Sequence, residues 1–298
     1  MNGSSLQPPE GAAPLPTPRT GLRTVKGPDG RVYAVGGATD TDGHVTTVEV
    51  YDPEADEWAP RSSMVRGRRA PGVTMANDGR ILAIGGHGGS DNLIATVEAY
   101  DSAADEWTEV APLTGLALNE TAAATGADGR VYAMAPSAKN GAHTFEAYDA
   151  GADAWLPLAP PRASYSIGAY AHLVAHSDGR IIAFGANRVL VEAYDPLADR
   201  WHYVSHLMQG RWGYAATAAA DGLIYAIGGD DGARWPQAVA AVEVYESNRW
   251  KAKAPIAVPR ALHACVGLDG GGILVVGGYA RNGGSSHLVD AVERYQPD

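Results

Sequence analysis

The stretch that decides the fold spans residues 30–58, where GRVYAVGG (30–37) is followed by VEVYDPEADEW (48–58). The first run is a short apolar strand that follows an Asp-Gly turn and ends in a glycine pair, and such a turn between β-rich runs predicts a hairpin. The second run carries a tyrosine that returns every 46 to 51 residues, at Tyr51, Tyr100, Tyr148, Tyr194, Tyr245 and Tyr295. The chain is therefore predicted to contain six copies of one structural unit.

Each unit is predicted to form four short strands, because nothing in it shows helical periodicity. In the fifth copy, strand A covers 215–219, strand B covers 223–227, strand C covers 242–245, and strand D begins at Trp250. Four strands repeated at this period are typical of the blades of an all-β propeller. We therefore predict a closed ring of six four-stranded antiparallel blades.

Both runs resemble a kelch repeat nearly residue for residue, and the resemblance extends over about residues 14–298. It implies one domain, a six-bladed kelch propeller. Kelch propellers serve as enzymes, adaptors and scaffolds, so the resemblance implies a fold and says little about function.

The two ends of the chain predict how the ring closes. The chain stops after strand C of the sixth copy, so the last blade lacks an outer strand of its own. Residues 13–16 resemble residues 254–257, which follow strand D in the fifth copy. We expect the N-terminal segment, residues 1–13, to supply the missing outer strand from about residues 4–12, where an edge position tolerates its prolines. The alternative is a disordered segment and a three-stranded sixth blade.

Composition narrows the classes of partner. The chain has 23 Lys and Arg against 34 Asp and Glu, a net charge of −11, which argues against a nucleic-acid partner. Its one cysteine, Cys265, excludes an internal disulfide. No apolar run is long enough for a membrane helix and no signal peptide is visible, so we expect a cytoplasmic protein without a membrane partner. The closed ring favours a monomer, and the preference for arginine over lysine indicates a bacterial gene.

Residues that recur in every unit are assigned to structure. Strand C contributes six equivalent glutamates, Glu49, Glu98, Glu146, Glu192, Glu243 and Glu293. Five phased tryptophans are predicted to wedge between neighbouring blades, Trp58, Trp107, Trp155, Trp201 and Trp250. No metal or other cofactor is predicted, because the ligand patterns of the iron- and copper-binding kelch propellers are absent. His172 and His176 are expected to line the channel or contact solvent.

The loops between strands D and A and between strands B and C build the ligand face in kelch propellers, so their residues form the candidate site. The D–A loops contribute Arg19, Arg68, Arg69, Glu120, Arg162, Arg211, Trp212 and Arg260. The B–C loops contribute His87, Asn187, Asp230, Trp235 and Tyr279, and Tyr165 and His263 complete the set. Because arginine binds carboxylate and phosphate through paired hydrogen bonds, this pattern predicts an arginine-lined mouth for an anionic or sugar-like ligand.

Three of these residues are the catalytic candidates, Glu120, Arg69 and Arg211. A carboxylate that faces arginines stays ionised, so Glu120 is better suited to act as a base than as an acid.

Three functions are consistent with this pattern. The first is the binding or transformation of a small molecule without a metal. In blade count the chain resembles bacterial kelch propellers that act as sialic acid mutarotases, which implies mutarotase-, isomerase-, lyase- or cyclase-like chemistry. The second is an interaction module that grips an acidic peptide or protein partner, and the third is a scaffold with no specific site. The long B–C loops of copies five and six predict an uneven rim, which favours the first function.

Overall fold

The computed structural model describes residues 11–88, 94–115, 120–136, 142–163, 171–186, 188–233, 236–282 and 285–297. Within these ranges the regular secondary structure is β, arranged as six four-stranded antiparallel sheets in a propeller ring. The prediction of an all-β, six-bladed propeller is confirmed. None of the described residues forms a helix with the length and apolarity that crossing a membrane requires.

The first three blades follow one another along the chain after a short strand, β1 (Gly11–Ala12). Blade 1 contains β2 (Arg23–Lys26), β3 (Val32–Val35), a side hairpin of β4 (Ala38–Thr39) and β5 (Gly43–His44), then β6 (Val48–Asp52) and β7 (Glu57–Arg61). Blade 2 contains β8 (Gly72–Met75), β9 (Ile81–Ile84), β10 (Val97–Asp101) and β11 (Glu106–Val110). Blade 3 contains β12 (Ala122–Thr125), β13 (Val131–Pro136), β14 (His143–Asp149) and β15 (Ala154–Pro157).

The last three blades repeat this order, and the sixth ends differently. Blade 4 contains β16 (His172–Ala175), β17 (Ile181–Ala186), β18 (Leu190–Asp195) and β19 (Arg200–His206). Blade 5 contains β20 (Ala215–Ala218), β21 (Ile224–Ile227), β22 (Val242–Glu246) and β23 (Arg249–Lys253). Blade 6 contains β24 (Ala264–Gly267), β25 (Ile273–Val276), a side hairpin of β26 (Tyr279–Asn282) and β27 (Ser285–Leu288), then β28 (Val292–Tyr295), with β1 at its outer edge.

Strand β1 occupies the outer edge of the last blade, where Gly11 and Ala12 pair antiparallel with β28. The next residue, Ala13, joins blade 1. Its amide donates to Asp56 Oδ1 at 2.9 Å, and its carbonyl oxygen accepts from Trp58 Nε1 at 2.9 Å. Residues 4–10 lie outside the described residues, so a longer closing strand stays a prediction.

The same kind of contact joins the other blades along the ring. The indole N–H of each phased tryptophan donates to the preceding blade, Trp107 to Ser62, Trp155 to Ala111, Trp201 to Ala159 and Trp250 to Ser205. In blade 2, Asp105 also accepts from the Ser62 amide at 2.9 Å and from the Tyr100 hydroxyl at 2.6 Å. We call the Trp and Asp contacts of one blade with the chain of the preceding blade the blade clamp. It explains why Tyr, Asp and Trp recur together.

The hydrophobic core lies between the blades. Val35 and Val48 of blade 1 belong to the same buried cluster as Ile81 and Ala83 of blade 2, and all four side chains are essentially inaccessible. Corresponding clusters join the remaining neighbours, so each blade buries both of its faces. The six inner strands, β2, β8, β12, β16, β20 and β24, are left to surround a central channel.

Removal of residues 1–13 tests the closure of the ring. The deletion removes β1 and both hydrogen bonds of Ala13, which together should cost roughly 2–3 kcal/mol and lower the Tm by several degrees in differential scanning calorimetry. Removal of residues 1–10 alone keeps β1 and Ala13, so it should leave the Tm close to that of the full chain. An unchanged Tm after the longer deletion would contradict this closure. An equal loss after both deletions would assign the stabilisation to residues 1–10 instead of β1 and Ala13, and would also contradict this closure.

Candidate functional site

Four of the predicted site arginines lie inside the protein, which corrects their placement at an open mouth. Arg19, Arg68, Arg211 and Arg260 have 0 % of their surface exposed. Each pairs with the glutamate of its own blade: Arg68 Nη2 lies 2.8 Å from Glu98 Oε1, Arg211 Nη1 lies 2.7 Å from Glu243 Oε1, Arg260 Nη2 lies 3.9 Å from Glu293 Oε2, and Arg19 Nη1 bonds Glu49 Oε2. A buried charge requires such a partner because desolvation is costly.

Main-chain carbonyl groups satisfy much of the remaining guanidinium surface. Arg19 Nε donates to the carbonyl of Gly36 at 2.7 Å, and Arg68 Nη1 donates to that of Gly85 at 2.8 Å. Burial lowers the pKa of Arg260 to about 10, despite the opposing effect of Glu293. These arginines hold the loop between strands D and A onto the end of strand B, so their role is structural.

Two neighbouring arginines on one loop provide a matched test of this role. Arg68→Ala leaves Glu98 buried without its cation, and we expect a loss of about 3–5 kcal/mol in the free energy of unfolding. Arg66 lies on the surface, 3.9 Å from Glu109, so Arg66→Ala should cost no more than about 1 kcal/mol. Urea unfolding of the two variants measures both values. Equal stability of the two variants would contradict a structural role for Arg68.

A ring of main-chain hydrogen bonds shapes the loop-side end of the channel. The amide of Leu262 donates to Gly213, that of Gly21 donates to Leu262, and that of Ala70 donates to Gly21, at 2.6 to 2.8 Å. All four residues have positive φ, including the non-glycine residues Ala70 (49°) and Leu262 (51°). A left-handed conformation is costly for residues with a Cβ atom, and such strain is found where surrounding structure holds it in place. Each of these residues comes two positions after a buried arginine. Three of the four intervening residues, Thr20, Arg69 and Trp212, stay partly exposed, whereas Ala261 is buried.

One cavity of about 260 Å³, which we call the mouth pocket, opens beside this ring. Arg69 from blade 2, Thr20 from blade 1, and Leu262, Tyr279 and Arg281 from blade 6 contribute to its lining. The pocket therefore combines two cations, a hydroxyl group, an apolar side chain and an aromatic ring. Arg69, unlike its neighbour Arg68, keeps part of its surface exposed.

Three further predicted residues meet on the blade 5 side of the mouth. The hydroxyl of Tyr279 donates to Asp230 Oδ2 at 3.0 Å, and the main chain of Asp230 pairs with that of Trp212. The Arg188 guanidinium lies 5.1 Å from the centre of the Trp212 ring, a cation–π contact. The structure therefore brings Trp212, Asp230 and Tyr279 together and adds Arg188, which the repeat pattern did not indicate.

His87 lies against a second histidine on the blade 1 side of the mouth. Its Nδ1 is 2.5 Å from Nε2 of His44, and the two ring centres are 4.5 Å apart. Burial, followed by the charge of Arg69, lowers the pKa of His87 below its usual value. At neutral pH this pair therefore offers uncharged imidazole groups, which can accept and donate a proton.

The central channel below the mouth has a volume of about 340 Å³ and is lined by all six inner strands. The first residues of these strands, in ring order, are Arg23, Gly72, Ala122, His172, Ala215 and Ala264. Four are small, and the two large ones belong to blades 1 and 4, which are opposite each other in a ring of six. We call this level of the channel the upper channel.

Buried polar side chains surround the upper channel. His172, Tyr214 and His263 are 9 %, 2 % and 1 % exposed, respectively. Among the described residues, Nε2 of His172 has no hydrogen-bond partner. Burial holds the pKa of His172 well below its usual value, and the charge of Arg23 lowers it further. The pKa of His263 is likewise held low by burial and then by Arg260.

Comparison with known proteins identifies the repeat. The Kelch motif matches residues 25–65, 68–114 and 211–255, which correspond to blades 1, 2 and 5. The chain carries kelch motifs in three blades and folds as a six-bladed β-propeller.

The solved structures related to this kelch propeller show its fold alone. They include 537 matching chains, so the architecture is too common to indicate an activity. One, titled "Structure of YjhT", has a TM-score of 0.76 and 14 % sequence identity, and the match covers 94 % of this chain and 95 % of that chain. No curated protein matches the sequence.

The remaining predicted site residues divide into two groups. Arg162 is exposed and Glu120 is partly buried, both on D–A loops. Tyr165, Asn187 and Trp235 lie outside the described residues.

Across the part of the chain that the structure describes, no group of three or more His, Cys, Asp or Glu is placed to hold a metal ion.

The buried histidines of the kelch propeller predict a pH dependence of stability. The folded-state pKa of His172 lies below the usual value of 6.5, so below that pH the unfolded chain binds a proton that the folded chain excludes. Stability is therefore fully present above about pH 6.5 and falls as the pH is lowered, by up to about 1.4 kcal/mol per pH unit for each such histidine.

Urea unfolding between pH 7 and pH 5 measures this effect. We expect His172→Leu to show a shallower loss than the wild type, while the exposed His206→Leu serves as the matched control and keeps the wild-type slope. The same slope in all three proteins would contradict the burial of an uncharged His172.

Proposed function

We propose that this kelch propeller binds a small anionic, sugar-like molecule in the mouth pocket. The observation that carries the proposal is the presence of two arginines, Arg69 and Arg281, in the lining of one cavity of a chain with a net charge of −11. A concave cationic site on an acidic protein concentrates small anions and disfavours large acidic surfaces.

The rest of the pocket lining fits a ligand that also carries hydroxyl groups and an apolar face. Tyr279 supplies a ring that can stack on a sugar. Asp40 also lines the pocket, and its carboxylate can accept hydrogen bonds from ligand hydroxyl groups. Thr20 and Ser286 add hydroxyl groups that donate or accept.

We propose that this site catalyses an isomerase- or mutarotase-like reaction. Such a reaction needs groups that take up and return protons near neutral pH. Arg211 is buried against Glu243 and cannot serve at the mouth. The uncharged His44–His87 pair beside Arg69 supplies the proton-accepting group instead.

The acidic-peptide alternative loses its main support in this structure. It relied on a ring of arginines at the mouth, and Arg19, Arg68, Arg211 and Arg260 are buried in ion pairs. The arginines that remain at the mouth pocket suit a small ligand better than an extended one.

Isothermal titration calorimetry with glucuronate, N-acetylneuraminate, glucose 6-phosphate and uncharged glucose tests the proposal. At least one anion should bind, and glucose should bind more weakly. Because a charge-assisted hydrogen bond contributes about 1.5–3 kcal/mol, Arg69→Ala and Arg281→Ala should each weaken binding roughly ten-fold or more.

Arg249→Ala is the matched control, because Arg249 lies exposed on the outer strand β23, away from the mouth. It should bind as the wild type does, and thermal unfolding should show that all three variants remain folded. Absence of binding by every anion, or equal affinity in all variants, would contradict the proposal.

A further inference from the structure

The outer strand of blade 4 is a long sheet edge that closure of the ring leaves open. This strand, β19 (Arg200–His206), has seven residues, whereas the outer strands of the other blades have two to five within the described residues. In that part of the chain, β19 pairs with β18 on one side and with no strand on the other. An open edge of this kind is a template for pairing with another chain.

The outer strands of blades 1, 2, 3 and 5 carry residues that discourage such pairing. Proline, which lacks an amide hydrogen, and charged side chains, above all lysine, are the usual means of blocking an edge. Strands β7 and β15 contain Pro60 and Pro157, and strands β11 and β23 contain charged side chains, Glu106, Glu109, Arg249, Lys251 and Lys253. From Trp201 to His206, β19 contains no proline, lysine, arginine or carboxylate.

The main chain of β19 faces outward at Tyr203. This residue pairs with the strand C glutamate of its blade, and in blades 1 and 3 the residues at the same position are Pro60 and Pro157. Proline is tolerated in a sheet where the missing N–H would face the open side of an edge strand. The amide and carbonyl groups of Tyr203 therefore point away from the blade, as do those of Trp201 two residues earlier.

Exposed apolar side chains lie on this edge and at both of its ends. Tyr203 is 53 % exposed, and Leu197 before the strand and Met208 after it are 99 % and 65 % exposed. They are three of the five large apolar side chains that the described part of the chain exposes. Large apolar side chains grouped on a surface indicate an interaction site.

We propose that two copies of this chain associate through β19, in antiparallel pairing about a two-fold axis at His202. The register of β19 against β18 shifts between Tyr203 and Ser205, so this axis lies in the regular part of the strand. Trp201 of each copy exchanges main-chain hydrogen bonds with Tyr203 of the second copy.

A second copy is the occupant that this edge fits, because a two-fold interface uses one patch twice and the patch must complement itself. Antiparallel pairing brings the Leu197 end of one strand to the Met208 end of the other, so apolar side chains meet at both ends. The centre of the patch, residues 201–205, has no formal charge at pH 7, so the two copies do not repel each other there.

This interface goes beyond the proposed function and is independent of it. Blade 4 is opposite blade 1 in the ring, and β19 contributes no residue to the lining of the mouth pocket. The expectation of a monomer rested on closure of the ring, which leaves the outer edge of blade 4 open. One strand edge buries less than the roughly 800 Å² per partner of a standard interface, so we expect a dissociation constant in the micromolar range.

Sedimentation-velocity ultracentrifugation from low to high micromolar concentration tests the proposal. The wild type should shift from monomer to dimer across this range. Tyr203→Pro removes the outward amide of each copy and should weaken dimerisation roughly ten-fold or more. Ala252→Pro is the matched control, because Ala252 is exposed at the same position of blade 5, opposite the strand C glutamate. It should dimerise as the wild type does, and thermal unfolding should show that both variants remain folded.

Hydrogen–deuterium exchange of the wild type gives a second measurement that needs no variant. The amides of β19 should exchange more slowly at high than at low protein concentration, while those of β11 and β23 should keep the same rates. A monomer at every concentration, or slower exchange at a different outer strand, would overturn the proposal. Unchanged dimerisation of Tyr203→Pro, or an equal loss in both proline variants, would also overturn it.

Discussion

The buried glutamate of strand C is the group on which the mouth of the propeller depends. In blade 2, Glu98 accepts hydrogen bonds from the amides of Val65 and Arg66 and from the guanidinium of Arg68. These three residues belong to the loop that enters the same blade, so the glutamate fixes the loop against its own sheet. Arg69, the next residue, is thereby held in the mouth pocket. The position of a functional side chain thus follows from a structural ion pair one residue away.

The same principle operates around the ring with different donors. In blade 3, where no arginine is available, Glu146 accepts from the amides of Thr114 and Gly115. In blade 5, Glu243 accepts from the amide of Met208 and from Arg211. In blades 2 to 6 the strand C carboxylate accepts from at least one amide of the incoming loop, and in blade 1 it accepts from the hydroxyl of Thr17 and the guanidinium of Arg19. The blade clamps then hold neighbouring blades together, and the channel is what remains at the centre.

The sequence predicts the fold well because its period is carried by residues that each make a specific contact. Tyr100, Asp105 and Trp107 recur at fixed spacing since they form one clamp. Which arginines are buried is harder to predict from the sequence. Arg68 and Arg69 are the same residue type in adjacent positions, and only the backbone conformation decides which side chain turns inward. A sequence shows that arginine stands at the loop and does not show whether its charge is already neutralised by a carboxylate of the same blade.

The inner strands show a second limit of prediction from sequence. The sequence predicts ligand-binding residues in the loops, where kelch propellers bind ligands, whereas Arg23 lies at the start of an inner strand. Alignment of the six inner strands by their first residue would have revealed Arg23 and His172 among glycine and alanine. The surroundings of these two side chains could not be deduced from spacing alone, because they depend on the closure of six blades into one ring.

The division of the arginines into structural and accessible groups is the central claim, and chemical labelling tests it most directly. Phenylglyoxal modifies accessible guanidinium groups, and tandem mass spectrometry of the folded protein locates each modified residue. We expect Arg69 and Arg281 to react and Arg19, Arg68, Arg211 and Arg260 to stay unmodified until the protein is unfolded. Modification of Arg68 at the rate of Arg69 in the folded protein would contradict the account.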